Sequence, residues 1–372
     1  MRNDPAVGPR QPRRDATQVA ADAGVSFVMP VLNEIGYLRR AVETTLAQEV
    51  PGPIELVLAL GPSTDGTTAL AHELAAADDR IVLVENPAAD IPVGLNAAIR
   101  ASSHPTIVRV DAHSELTPGY ATRALDTLAR TRAGNVGGVM RADGRTPFQR
   151  AVAWAYNSPI GLGGAAYHGG SLEGEAESAY LGVIRRAVLD DVGLFDETIR
   201  RGEDWELNLR IRSAGYRVWF DPALSVTYWP RSSWTRLAKQ FLATGRWRGE
   251  LFRRYGRRNA LKYFAPPALV ILIALALVVG ALLASGAAAA LPWLAVVAPA
   301  VLLPVAAYVL LVVAFSAVAR GPGFGLRERG WLLAVLPTMH LAWGTGFLTG
   351  AVRGAHDTVD TSRLSGRNTP LP

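Results

Sequence analysis

The chain has 372 residues and a formal net charge of +6, from 38 lysines and arginines against 32 aspartates and glutamates. It has no cysteine, which excludes a disulfide framework and any thiolate metal site. The length suits one large domain or two smaller ones, and the composition changes sharply along the chain.

Residues 1–23 are polar and rich in Arg, Asp, Pro and Ala. Without an apolar core they are neither a signal peptide nor a membrane segment, and they are expected to be a disordered tail. Residues 24–230 read as an α/β domain. Val25–Val31 is a β-branched strand that stops around Pro30 and runs into Leu32-Asn33-Glu34. A helix is expected over 35–48, with Leu38, Val42, Thr45 and Leu46 on one face. The strand Ile54–Leu60 ends in Gly61-Pro62-Ser63-Thr64-Asp65-Gly66-Thr67, a turn able to cap the next helix. Ile81–Glu85 is a third strand, Val93–Ala98 opens another helix, and Thr106–Val110 is a strand leading to Asp111. Such alternation predicts a doubly wound, mostly parallel sheet. Ligands bind such sheets at the carboxyl ends of the strands, where Asn33, Ser63, Asp65 and Asp111 all fall.

Asp111 and His113 stand two residues apart at a strand end and are expected to point the same way. A carboxylate and an imidazole so placed can share a divalent metal. The alternative is that Asp111 caps the turn and His113 is solvated. Further on, glycines at 161, 163, 164, 169 and 170 make 158–180 a long flexible segment, either an acceptor loop or a plain surface loop. Glu203 and Asp204 open a helix, where acids also favour the helix dipole.

Residues 231–262 are basic. Arg236, Lys239, Arg246, Arg248, Arg253, Arg254, Arg257 and Arg258 lie there with Glu250 as the one acid. Because this stretch runs directly into apolar sequence, it fits an anionic membrane leaflet and not a nucleic acid. Phe264–Ala290 and Leu291–Ala319 are uncharged and each long enough to cross a bilayer, which needs about 20 apolar residues. They read as a helical hairpin, followed by a loop holding Arg320, Arg327, Glu328 and Arg329. Trp331–Val352 is a third, more polar segment. Three spans are expected for the membrane domain at 263–352. They would leave Arg353, Arg363 and Arg367 of the polar tail 353–372 on the side that charge disfavours, unless the third segment is re-entrant or interfacial.

The set PVLNE (30–34), STDGT (63–67), GLNAAI (94–99), DAH (111–113), GLFDE (193–197) and EDWELNLR (203–210), in this order and spacing, resembles the family 2 inverting glycosyltransferases. VRVDAHSELTPGY, GEDWELNLRIRSAGYRVWF and YWPRSSW resemble the bacterial subgroup that builds succinoglycan-type exopolysaccharides. The resemblance implies a GT-A-like mixed sheet, a nucleotide-diphosphate sugar as donor, and a divalent cation, Mn²⁺ or Mg²⁺, on the diphosphate. It implies donor contacts from Pro30, Asn33, Glu34, Ser63, Asp65, Asn96 and Asp111, and metal contacts from Asp111 and His113. The family's Asp-x-Asp has His113 at its second acid, which suits Mn²⁺ better than Mg²⁺. The general base maps onto Asp204, with Glu203 orienting it or touching the acceptor, and Glu206 structural. Leu60 and Gly61 stand where the family usually has an acidic pair on the base, so the nucleotide stays open. Arg246-Trp247, after Gln240, is similar at longer spacing to the Gln-x-x-Arg-Trp of processive members. These residues either lid the donor or anchor a membrane-proximal helix.

The implied function is transfer of a sugar to a lipid-linked or polysaccharide-precursor acceptor at the cytoplasmic leaflet. Two alternatives stand beside it, a polyprenyl-phosphate sugar synthase and an inactive nucleotide-sugar-binding scaffold. A transporter needs polar residues within its spans, and only the last segment offers any, with His340 alone too little; a nicotinamide-binding domain needs a Gly-x-Gly-x-x-Gly that does not follow the first strand.

Overall fold

The computed structural model describes residues 24–162, 170–256, 261–286 and 291–355. The expected N-terminal tail, residues 163–169 of the glycine-rich segment, and all but the start of the polar C-terminal tail lie outside the described residues. The described residues form two compact units, one drawn from 24–141 and 170–229 and the other from 142–162 and 230–355.

In the first unit the order is β1 (Val25–Val31), α1 (Leu38–Leu46), β2 (Ile54–Leu60), α2 (Thr67–Ala77), β3 (Ile81–Glu85), α3 (Ile91–Ala101), β4 (Thr106–Arg109), β5 (Ser114–Leu116), α4 (Tyr120–Thr131) and β6 (Asn135–Ala142). After α5 (Pro147–Tyr156) and α6 (Pro159–Leu162) of the second unit, the chain returns as β7 (Gly174–Glu175), β8 (Tyr180–Arg185), α7 (Arg186–Val192), α8 (Glu203–Ser213) and β9 (Val218–Tyr228). One sheet runs β3-β2-β1-β4-β8-β6-β9-β5, with β7 on β9.

The expectation of a mostly parallel sheet holds for β3-β2-β1-β4 alone. The pairs β4–β8, β6–β8, β5–β9 and β7–β9 are antiparallel. Connections explain the difference. Parallel neighbours need a long crossover, which α1, α2 and α3 help to supply. The turn from β4 to β5 is too short for one, and β5 pairs at the far edge with β9.

Register creates a step at the carboxyl ends. Val31, Leu60 and Glu85 lie level, but β4 stops at Arg109, opposite Val28. Pro30 therefore sits in an interior strand at a level where β4 has ended, so its missing N–H breaks no ladder bond on that side. Every residue of β1 is buried, because helices cover both faces. Phe27, Met29, Leu56 and Leu58 pack with Leu38, Leu74 and Leu128 on one face. Val28, Val57 and Ala59 pack with Leu95, Ile99, Leu207 and Ile211 on the other.

The second unit adds α9 (Trp234–Tyr255), a 3₁₀ turn at Leu261–Phe264, α10 (Ala265–Ala284), α11 (Leu294–Val318) and α12 (Leu326–Arg353). The segment 142–162 joins this unit. Phe148 packs edge-on against Trp331 at 5.1 Å, Arg150 pairs with Glu328 at 2.6 Å, and Gln149 Nε2 donates to the Pro230 carbonyl at 3.0 Å. α10, α11 and α12 are each long and apolar enough to cross a membrane. Their most apolar stretches are 17%, 11% and 39% buried, so α10 and α11 turn their side chains outward while α12 is partly covered by protein.

Gly138 in β6 lies so close to β9 that an added Cβ would sit 1.9 Å from the Leu224 carbonyl oxygen. A methyl there must displace backbone, and overpacking of this kind costs about 1–3 kcal/mol. Gly138→Ala is expected to lower the thermal midpoint of the detergent-solubilised protein. Gly36→Ala, where a Cβ would meet nothing within 4 Å, is the control expected to leave it in place.

Candidate active site

The ends of β1 and β2 are joined by side-chain bonds. Asn33 adopts a left-handed backbone, φ 53°, a conformation asparagine tolerates better than most residues. Its N–H donates to Ser63 Oγ at 3.0 Å, and its Oδ1 accepts from the Thr64 N–H at 2.8 Å. The Glu34 N–H donates to Thr67 Oγ1 at 2.8 Å. Asp65 accepts from the Ile35 N–H at 3.3 Å through Oδ2 and from the Thr67 N–H at 3.0 Å through Oδ1. Asn33, Glu34, Ser63 and Asp65 thus gather at one rim with Pro30 beneath them. Asp65 ties the start of α2 to the β1 rim through the Thr67 and Ile35 N–H groups.

Asp111 follows β4 with its side chain 13% exposed. Its Oδ1 accepts from Arg109 Nε at 3.3 Å and Nη2 at 3.2 Å. His113 is not simply solvated. Its side chain is 14% exposed and its Nδ1 lies 3.2 Å from Glu34 Oε1, linking this turn to the β1 rim. Among the described residues no three His, Cys, Asp or Glu side chains form a ready metal cage. So small a set of protein ligands fits a cation that takes most of its ligands from substrate phosphates and water. Asp111 and His113 are the residues that would hold it.

The group that ties the site together is Arg109, a residue that none of the sequence motifs singles out. Its side chain is 7% exposed. Nη1 donates to Glu203 Oε1 at 3.0 Å and to Asp204 Oδ1, while Nε and Nη2 hold Asp111. One guanidinium therefore fixes the end of β4 against the first turn of α8, using the rigid fork of donors that lysine lacks. A signal was available. A cation inside the β-branched run Thr-Ile-Val-Arg-Val is buried by the strand, and a buried cation needs acids.

Three carboxylates share this one cation. Burial pushes the Asp204 carboxyl up to about 7; Arg109 opposes the rise, and Glu203 and Asp111 add to it. The same acids hold Arg109 firmly protonated, well above its ordinary value despite burial. The Tyr180 hydroxyl is buried with Asp111 nearby, which holds its phenol well above its usual value as well. Asp204 is 27% exposed and Glu203 8%, so of the two Asp204 is the acid an incoming hydroxyl can reach. Gly202, at φ 83°, makes the turn that starts α8 at Glu203.

Other expected residues have structural partners. Asn96 Nδ2 donates to the Phe195 carbonyl and to Glu197 Oε1, both at 2.9 Å, and its Oδ1 accepts from the Phe195 N–H. Buried at 2% exposure, it clamps the GLFDE turn to α3. Glu206 pairs with Arg210, whose guanidinium also holds the Val192, Gly193 and Leu194 carbonyls. Arg246 and Trp247 lie on α9 in the second unit, where Trp247 is buried and Arg246 Nε donates to the Gly354 carbonyl at 2.9 Å.

Residues 26–193 match the glycosyl transferase family 2 model. The chain is 32% identical over 327 residues to the succinoglycan biosynthesis protein ExoA of Rhizobium meliloti, covering 86% of this chain and 93% of that one. It is 22% identical over 248 residues to a Methanococcus voltae dolichyl N-acetyl-alpha-D-glucosaminyl phosphate 3-beta-D-2,3-diacetamido-2,3-dideoxy-beta-D-glucuronosyltransferase, covering 64% of this chain and 77% of that one. Its fold is similar to that of the mannosyltransferase PcManGT from Pyrobaculum calidifontis, solved with GDP-Man and Mn²⁺, with a TM-score of 0.54, 18% identity and coverage of 93% and 89%. The mixed sheet, the acids gathered at its strand ends and the likeness to ExoA along nearly its whole length make this chain a family 2 glycosyltransferase.

Proposed function

We propose that the protein transfers a sugar, with inversion, from a nucleoside-diphosphate sugar to a hydroxyl of a lipid-linked or polysaccharide-precursor acceptor at the cytoplasmic face of a membrane. The observation that carries this reading is the Arg109-centred trio of Asp111, Glu203 and Asp204 at the carboxyl ends of the strands. The likeness to ExoA supports a polysaccharide precursor, and the apolar helices favour an acceptor that lives at the bilayer.

In this mechanism Asp204 accepts the proton of the acceptor hydroxyl as its oxygen attacks the anomeric carbon. The bond from that carbon to the diphosphate oxygen breaks on the opposite face, and the nucleoside diphosphate leaves. A base works best when its pKa lies near the working pH, and burial among acids moves Asp204 toward that value. Arg109 keeps Asp204 and Asp111 at fixed positions. A bound divalent cation would neutralise charge on the leaving diphosphate, with Asp111 and His113 as its protein contacts. An idle scaffold has no need for a partly exposed carboxylate tuned in this way.

Asp204→Asn is expected to lower kcat about 10²- to 10⁴-fold with little change in donor affinity, read by product formation and by calorimetry. Near-normal turnover with a polyprenyl phosphate as acceptor would instead mark a lipid-phosphate sugar synthase, because a phosphate oxygen needs no base. The base must be unprotonated, so kcat is expected to fall as pH drops through about 7. Arg109 lowers the Asp204 pKa, so Arg109→Gln should move that acid limb to higher pH. A limb that stays in place would remove Asp204 from the proton transfer. Thermal shift of the full-length protein against UDP-, GDP- and dTDP-sugars identifies the donor. The stabilising nucleotide should need Mn²⁺, and Asp111→Ala should abolish the shift.

A further inference from the structure

α12 is long and apolar enough to cross a bilayer, yet both of its ends are held by segments that do not cross. At its start, Glu328 accepts from Arg150 Nη2 at 2.6 Å and Nε at 3.1 Å, and Trp331 meets Phe148. Arg150 and Phe148 lie on α5, which has 10 residues, a length of about 15 Å against a hydrocarbon core of about 30 Å. The chain enters α5 from strand β6 and afterwards goes back to strands β7 and β8. At mid-helix, His340 Nε2 lies 2.8 Å from the Ile160 carbonyl of α6.

The second half of α12 is paired with α9 at backbone contact. A Cβ added at Gly245 or Gly249 of α9 would fall 2.0 or 2.2 Å from the Trp343 or Phe347 carbonyl oxygen. One added at Gly346 or Gly350 of α12 would fall 2.1 or 1.9 Å from that of Leu242 or Arg246. Arg246 Nε closes the pair on the Gly354 carbonyl at 2.9 Å. Helices packed so closely share one depth. α9 carries Arg236, Lys239, Arg246, Arg248, Arg253 and Arg254, too many cations for hydrocarbon. It also follows the first unit with no apolar span between.

We infer that α12 does not cross the bilayer. α10 and α11 make the crossing hairpin, and α9 with α12 lies on the membrane surface, on the side that holds residues 24–229, against anionic lipid headgroups. Exposed Trp234 and Leu242 beside Lys239 give α9 the mixed apolar and basic surface of an interfacial helix. Part of the apolar sequence of α12 is taken up by protein packing: Leu332, Val335, Leu336 and Met339 are fully buried, and its exposed Trp331, Leu333 and Val352 are left for the membrane surface, whereas Leu277, Val296 and Leu310 of the hairpin point outward. Two crossings also return Arg320, Arg327, Arg329 and Arg353 to the side of the basic α9, as the positive-inside rule requires.

The chain has no cysteine, so single cysteines report sidedness without background. Arg327→Cys, Arg353→Cys and Ser285→Cys, all at exposed positions, are probed in the full-length protein with a membrane-impermeant maleimide on sealed vesicles of each orientation. Arg327→Cys and Arg353→Cys are expected to label from the same face and Ser285→Cys from the opposite one. Labelling of Arg353→Cys together with Ser285→Cys, or from neither face, overturns the inference. A C-terminal fluorescent-protein fusion on the unsubstituted chain, fluorescent only when it stays in the cytoplasm, tests the same topology without altering a residue. Fluorescence is expected, and a dark fusion present at normal abundance overturns the inference.

Discussion

A guanidinium with 7% of its side chain exposed must be matched by acids, since removing one partner of a buried ion pair costs about 3–5 kcal/mol. Arg109 meets that demand with Asp111 two residues on and with Glu203 and Asp204 from the far end of the unit's sequence. The constraint fixes much else. β4 has to end where it does for the arginine to reach both α8 and its own strand end. α8 has to begin at Glu203, which Gly202 allows by turning left-handed. The GLFDE turn before α8 has to be held still, and Asn96 and Arg210 hold it from either side.

The acids concentrate negative charge at the strand ends, where the proposed donor would add the charge of its diphosphate. With one cation shared by three carboxylates, the site favours taking up a proton or a metal, and the raised Asp204 shows the first tendency. Glu34 beside His113 extends the acidic rim toward β1. In the proposed mechanism a divalent cation arriving with the donor would relieve the same charge that burial makes costly, and would couple donor binding to the protonation of Asp204.

In the second unit the governing constraint is steric. Glycines on α9 and α12 let the two backbones touch, and that closeness makes their bilayer depths inseparable. Hydropathy scores each helix alone, so α12 reads as a span although Leu332, Val335, Leu336 and Met339 are buried in protein.

How much was legible follows the range of the interactions. β1, β2 and β3 begin and end where their apolar runs do, because a strand of this kind is set by local residue pattern. The strand-end position of Asn33, Ser63, Asp65 and Asp111, the acids opening α8, and the apolar lengths of α10 and α11 were likewise written in short stretches. The partners of a side chain were not. That Arg109 joins residues 94 and 95 positions away, that Asn96 clamps a turn 99 positions away, that β5 closes the far edge of the sheet, and that 142–162 joins the second unit depend on which surfaces meet after folding. Sequence alone determined the strand and helix periods and the family, since both rest on local residue order. Only the tertiary structure decided which acids share a cation and which apolar helix is covered by protein, since charge pairing and burial are set by distance in space.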